Sequence, residues 1–200
     1  MHVTYWEEFK HLLTWAHENV ASTLYSCWSA HAALKIFYDI NREQQTNPDG
    51  TPQKVTGLFS HALKDQFVSL LTMGLPDVVI CPHSHWSGIP RNAVAKEPEL
   101  KILLENPEAG ILLLEGRKGR EVYLQGHPEY AADALRKEFE RDRSPERFGK
   151  NAPLPKNYFL GGGQGFSPNM WRSNAVVLFH NWINLVYQTT HFDLREPLMD

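Results

Sequence analysis

At 200 residues the chain has the length of one domain, which should bury roughly 70% of the surface its unfolded form exposes. A net charge of −3 with no block of like charges argues against a nucleic-acid partner, and nothing reads as a signal peptide or a membrane span. Two cysteines make no disulfide framework, so a reducing, cytoplasmic setting with free thiols is expected.

The opening stretch, Met1 to Val20, predicts an amphipathic helix, because Trp6, Phe9, Leu13, Ala16 and Val20 recur at helical spacing opposite Glu7, Glu8, Lys10 and Glu18. Ser22 to Ser26 predicts a short strand, and Trp28 to about Ile40 a helix. Asn41 to Gln53 is polar and carries the turn signal Asn47-Pro48-Asp49-Gly50, which predicts a surface loop. Val55 to Phe59 predicts a strand, and Lys64 to Leu71 fits helix or loop. Asp77 to Cys81 is an apolar run suited to a buried strand, with Pro82-His83-Ser84-His85-Trp86 delivered at its end, where ligands gather in open α/β sheets. Glu97 to Asn106 is mixed in pattern. Gly110–Glu115 and Glu121–Gln125 predict two strands joined by a solvated turn at Gly116-Arg117-Lys118-Gly119. Glu129 to Asp142 predicts a helix, Arg143 to Pro168 a long loop containing Gly161-Gly162-Gly163, and Ser173 to about Thr189 a closing apolar helix.

The predicted strand before Cys27 and the helix behind it form the junction that exposes a nucleophile in folds of alternating strands and helices. The next backbone N–H, that of Trp28, then lies where an oxyanion forms, and a helix N-terminus favours negative charge. Taken alone, the stretch reads more simply as a buried structural cysteine. A thiol nucleophile needs a base, and the base an orienting group. His127 and Glu129 fit that description, since residues two apart in extended backbone point the same way and Pro128 stiffens the link. The plainer alternative is that His127 ends a strand and Glu129 opens a helix, where acidic residues are favoured. The pair His83 and His85, with His31 and His61, raises a metal alternative. No carboxylate or cysteine stands at ligand spacing beside them, and no metal is expected. The triple glycine follows no strand and precedes no Lys-Ser/Thr, so it reads as loop flexibility rather than a phosphate cradle.

With Cys27 and Gly126-His127-Pro128-Glu129 in view, the chain resembles the class I glutamine-amidotransferase-like superfamily. Within it, the chain is similar to the homoserine O-succinyltransferase (homoserine transsuccinylase) family. The likeness runs through Cys27-Trp28 with Ala32-Ala33-Leu34, Pro82-His83-Ser84, Gly126 to Tyr130, and Glu138-Phe139-Glu140-Arg141-Asp142. It continues through Asn157-Tyr158-Phe159, Trp171-Arg172-Ser173, Leu178-Phe179 with Asn181-Trp182 and Asn184, Val186-Tyr187-Gln188-Thr189 and Phe192-Asp193-Leu194.

The resemblance implies one three-layer α/β domain over residues 1–200, flavodoxin-like, with a mainly parallel sheet, lacking the family's N-terminal section. It implies transfer of a succinyl or acetyl group from succinyl-CoA or acetyl-CoA to the hydroxyl of L-homoserine, in methionine biosynthesis, through an acyl-cysteine and ping-pong kinetics. Cys27 would be the nucleophile, His127 the base and acid, and Glu129 its orienter. Trp28 would lend an oxyanion N–H. Arg141 and Glu138 would hold the acceptor's carboxylate and amine, as a guanidinium fork suits one and a carboxylate the other. Ser84 and Lys54 would line the same pocket.

No permanent cofactor, nucleic acid or membrane is implied. A homodimer, or pairing with a chain that supplies the absent strands, is expected, because the remaining sheet has open edges. Departures from the family pattern are Ser29 and His31, where Gly and Gln are usual, and His85, where Arg is common. Ser29 is expected to crowd the elbow. These departures keep three alternatives open: a serine O-acetyltransferase of the same family, an amidotransferase-like hydrolase, and a non-catalytic relative.

Overall fold

A computed structural model describes residues 3–63, 69–161 and 165–190. Helix α1 (Trp6–Asn19) leads into strand β1 (Thr23–Ser26) and helix α2 (Trp28–Tyr38). The polar stretch behind α2 holds only the two-residue strand β2 (Glu43–Gln44), and β3 (Val55–Leu63) runs beyond the predicted end at Phe59. Then come β4 (Val78–His85), β5 (Ser87–Gly88), the short helix α3 (Arg91–Val94), β6 (Leu100–Asn106), β7 (Gly110–Gly116) and β8 (Glu121–Leu124). Helix α4 (Ala134–Asp142), the ribbon of β9 (Phe159–Leu160) and β10 (Gly165–Phe166), and α5 (Arg172–Thr189) complete the order. No helix among the described residues is long and apolar enough to cross a membrane.

Six strands form one sheet in the order β1-β8-β7-β6-β3-β4. Only β1 and β8 run parallel; the other four neighbouring pairs are antiparallel, which corrects the expectation of a mainly parallel sheet for the described residues. The connections explain the difference. β6–β7 and β7–β8 are joined by turns far too short for the dozen or so residues that a parallel crossover needs.

The three-layer arrangement is present. Tyr25, Ile111, Leu114 and Tyr123 pack on one face against Leu13 of α1 and Ala30, Ala33 and Leu34 of α2. Leu112, Val122 and Leu124 pack on the other face against Leu178 and Leu185 of α5. Strand alternation in β8 divides Tyr123 from Val122 and Leu124 in this way. The strand is fixed at its start by Glu121, which is 1% exposed. Its carboxylate accepts the hydroxyls of Tyr38 (2.6 Å) and Tyr123 (2.9 Å) and lies 3.0 Å from His17 Nδ1.

Three further differences bear on the site. Pro82 to His85, expected beyond a strand, lie within β4, which pairs with β3 from Val55↔His85 to Ala62↔Val78. Helix α4 begins at Ala134 rather than at Glu129, leaving residues 129–133 as turns. The expected structureless loop carries the β9–β10 ribbon. The ambiguous stretch Lys64 to Leu71 falls largely outside the described residues, as do Gly162, Gly163 and the Phe192-Asp193-Leu194 match.

Candidate active site

Cys27 joins β1 to α2 with φ 47° and ψ −105°, a conformation that L-residues avoid at a cost of about 1–3 kcal/mol. The fold holds it there. Its N–H donates to Leu124 O at 2.7 Å, extending the parallel register by one residue, and its carbonyl accepts from Ala30 N at 3.1 Å. Ser29 does not crowd the elbow; its hydroxyl donates to Ser26 O at 2.8 Å and tightens the turn. Trp28 is the first residue of α2, so its amide follows the nucleophile directly.

The register that pairs Ser26 with Leu124 places whatever follows β8 beside Cys27. The chain continues through Gln125 and Gly126 to His127, whose N–H donates to Pro82 O at 2.8 Å and so ties the segment to β4. The imidazole is a hydrogen-bond partner of the Cys27 thiol, and its Nδ1 lies 2.7 Å from Glu129 Oε1. Burial pushes the imidazole toward neutrality, but the Cys27 sulfur and the Glu129 carboxylate outweigh it and hold its pKa up at about 9. Gln125, fully buried, extends Nε2 to 4.0 Å from the Cys27 sulfur. Gly126 has to be glycine: a Cβ there would lie 2.7 Å from Leu112 Cδ1, 2.8 Å from Cys81 Sγ and 2.9 Å from His83 Nε2.

The four residues expected to bind substrate are brought together. Glu138 on α4 accepts the Ser84 hydroxyl and, at 2.7 Å, that of Tyr130, and lies 3.5 Å from Lys54 Nζ. The Lys54 ammonium, 5% exposed, also reaches Asp142 Oδ2 at 2.6 Å. Arg141 is half exposed and turns its Nε and Nη2 to Asp142 Oδ1, at 3.2 and 3.1 Å. Burial works against ionising Glu138, yet the hydroxyls of Ser84 and Tyr130 and the charges of Lys54 and Arg141 hold its carboxyl below the usual range. Asp142 is likewise held down, burial being offset by Lys54 and Arg141. The Tyr130 ring lies on that of His127, with centroids 4.3 Å apart and planes at 16°, so the two groups of residues are continuous.

The remaining histidines gather elsewhere. His83 and His85 project from the face of β4 opposite to Ser84, as the two-residue repeat requires, so His85 does not stand beside Ser84 in the pocket. His83 Nδ1 lies 3.0 Å from His85 Nε2, and His61 stacks on His83 at 4.8 Å. Among the described residues no group of three or more His, Cys, Asp or Glu is arranged to hold a metal ion. Sequence reasoning missed Gln125, Tyr130 and Asp142. Asp142 carried a usable signal, for it stands four residues after Glu138 and one after Arg141 on the same helix. Tyr130 stands in a segment that carries the resemblance but was given no role, because the helix was expected to include it.

A family model described as homoserine O-succinyltransferase matches residues 1–192. The homoserine O-succinyltransferase of Pseudoalteromonas translucida (strain TAC 125) is 39% identical over 195 residues, 96% of this chain and 59% of the relative. The homoserine O-acetyltransferase of Clostridium botulinum (strain Eklund 17B / Type B) is 36% identical over 196 residues, 97% of this chain and 61% of the relative. The chain thus spans about three fifths of the length of these curated relatives. Among solved structures, a putative GMP synthase protein from Thermoplasma acidophilum superposes with TM-score 0.58 at 9% identity, covering 91% of this chain and 65% of that one. A glutamine amidotransferase from Thermotoga maritima superposes with TM-score 0.57 at 13% identity, covering 90% and 69%. These two likenesses establish a shared fold.

Proposed function

The chain belongs to the homoserine O-succinyltransferase family, and on that premise we propose that it carries the acyl-transfer site of a homoserine O-acyltransferase in which Cys27 is the nucleophile. One observation carries the reading: the sulfur of Cys27, the imidazole of His127 and the carboxylate of Glu129 line up at the end of the only parallel strand pair among the described residues. The cluster around Glu138 adjoins them through Tyr130.

The chemistry runs in two halves. The Cys27 sulfur attacks the thioester carbonyl of an acyl-CoA, and the His127 imidazolium supplies the proton with which the CoA sulfur leaves. The backbone N–H of Trp28 faces the developing oxyanion. In the second half, His127 takes the proton of the acceptor hydroxyl as that oxygen attacks the acyl-cysteine carbonyl. The Cys27–acyl bond then breaks and the proton remains with the sulfur–imidazole pair. Glu129 keeps one ring nitrogen occupied, leaving the other for the sulfur. Glu138 pairs with the acceptor's ammonium and Arg141 with its carboxylate, exchanging Asp142 for the ligand. Ser84 and Lys54 hold Glu138 in place. The outer edge of β1 has no strand beside it among the described residues, and in this reading it accepts further strands from the same or a second chain.

The test is intact-protein mass spectrometry after mixing with acetyl-CoA or succinyl-CoA. An acyl adduct on the wild-type chain that is absent from Cys27→Ala and discharged by L-homoserine is expected. An adduct that persists in Cys27→Ala removes the proposed nucleophile, and glutamine hydrolysis without acyl transfer replaces the reading with an amidotransferase-like one.

A further inference from the structure

The imidazole of His127 is engaged at its edges by the Glu129 carboxylate, at Nδ1, and by the Cys27 sulfur. Its face is covered by the Tyr130 ring, stacked on it at 4.3 Å and nearly parallel. Tyr130 is itself held from both ends. Its N–H donates to His127 O at 3.1 Å, and its carbonyl accepts from Trp171 Nε1 at 2.9 Å and Asn169 Nδ2 at 3.3 Å. Trp171 is 1% exposed, so the backbone of Tyr130 is pinned against the start of α5. The movable part is the phenol, and its hydroxyl donates to Glu138 Oε1 at 2.7 Å. Burial and the neighbouring Glu138 carboxylate raise the ionisation of Tyr130 above its ordinary value, so the hydroxyl stays a neutral donor and follows Glu138.

Glu138 already accepts two hydroxyls and faces Lys54. A carboxylate offers about four acceptor positions, so an arriving ammonium group takes a remaining one and draws on the same charge that holds the Tyr130 hydroxyl. Resting on the reading of Glu138 as the acceptor's anchor, we propose that Tyr130 is a positioning residue that couples occupation of Glu138 by an amino-acid ammonium group to the set of the His127 ring against Cys27. The acceptor's arrival at Glu138 is thereby registered at the base, which steadies the imidazole when a hydroxyl is present to be deprotonated rather than water alone.

Two variants separate the parts. Tyr130→Phe keeps the stack and removes the hydroxyl link; Tyr130→Leu removes both. Ring resonances of His127 are followed by NMR in this chain during titration with L-homoserine, with thermal melts showing that each variant is folded. The wild type should show a saturable His127 response. Tyr130→Phe should still bind L-homoserine saturably, because Glu138 keeps Ser84 and Lys54, yet lose most of that response. Tyr130→Leu should lose the response and have altered His127 resonances before any ligand is added. Where turnover is measured, hydrolysis of the acyl-cysteine should rise relative to transfer in both variants. A full wild-type response in Tyr130→Phe overturns the coupling while leaving the acceptor site standing. No binding of L-homoserine by the wild type overturns the acceptor site and this inference with it.

Discussion

His127 and the histidines around β4 share a packing environment but have opposite electrostatic ones. His61 and His83 are completely buried, and His85 and His31 are 5% and 7% exposed; the His127 side chain is 13% exposed. Burial lowers the pKa of His31 and His61 to about 4 and of His85 to about 3, and pushes His83 well down. No carboxylate among the described residues acts on any of them; they feel backbone carbonyls, each other, Arg42 in the case of His31, and His127 in the cases of His83 and His85, whose charge pushes them further down. Three ring nitrogens of the group, His61 Nε2, His83 Nε2 and His85 Nδ1, have no hydrogen-bond partner among the described residues. His127 meets the same desolvation, yet a sulfur and a carboxylate carry it to about 9. A buried imidazole thus becomes an acid–base group through the sulfur and carboxylate beside it, and without such partners it is a neutral aromatic wedge.

The largest expected effect that tests this contrast is acid unfolding. The four neutral histidines have folded values below the unfolded 6.5, so their stabilisation is complete above pH 6.5 and is lost as pH falls toward 4. Each adds a slope of the same sign in that window, stability falling with pH. His127 has the opposite sign: its contribution is complete below 6.5 and fades as pH rises through 9. Denaturant melts should therefore show a stability maximum near neutrality, a steep acid limb and a shallow alkaline one. A flat profile between pH 6.5 and 4.5 would mean that the cluster is hydrated or protonated in the folded chain.

Next in size is His127→Asn, which keeps the shape and removes the base. Acyl transfer should fall by about a thousandfold or more, with the alkaline limb flattened and the melting temperature lowered at neutral pH, where the His127 contribution is otherwise present. His85→Asn should do the reverse, sparing the chemistry and softening the acid limb. Smaller again is Gly126→Ala, placed where the two regions touch. The added methyl meets Leu112, Cys81 and His83 at under 3 Å, all side chains in a packed interior. Overpacking of this kind costs about 1–3 kcal/mol, read in a urea melt. It should also slow acyl transfer, because Gly126 precedes the base.

Much of this was legible beforehand, and the reasons differ by region. The elbow at Cys27 and the His127–Glu129 pair depend on local chemistry, a strand–helix junction and a two-residue spacing, so the residues offered them beside plainer readings, and the family resemblance tipped the balance. The expectation of a mainly parallel sheet came with the resemblance and does not hold for the described residues, because pairing direction is set by connection length and by which distant strands meet, and periodicity carries neither to correct it. Tyr130 was hidden by a boundary. Extending the helix to Glu129 directed its side chain along a helix face, whereas the turn at residues 129–133 lets the phenol lie back on His127. His83 and His85 were read as groups beyond a strand because polar residues seldom continue a buried one. The strand continues because their rings pair with each other and with His61 instead of with solvent.

The smallest expected effect is also the most discriminating. His61→Phe preserves the flat ring that stacks on His83 and deletes two nitrogens, one lying 3.2 Å from Val79 O and one with no partner among the described residues. Losing the first bond costs about 0.5–1.5 kcal/mol, while removing an unsatisfied buried nitrogen returns about 1–3 kcal/mol. At pH 7 the two nearly cancel, so the urea midpoint should move little. At pH 5 they no longer cancel, because the wild-type imidazole draws a proton on unfolding and the phenyl ring draws none. The variant should therefore be the more stable of the two in acid, by a margin that grows as pH falls from 6.5 toward 4. Equal acid sensitivity in both proteins would locate the titrating group elsewhere and dissolve the distinction between the neutral cluster and the site histidine.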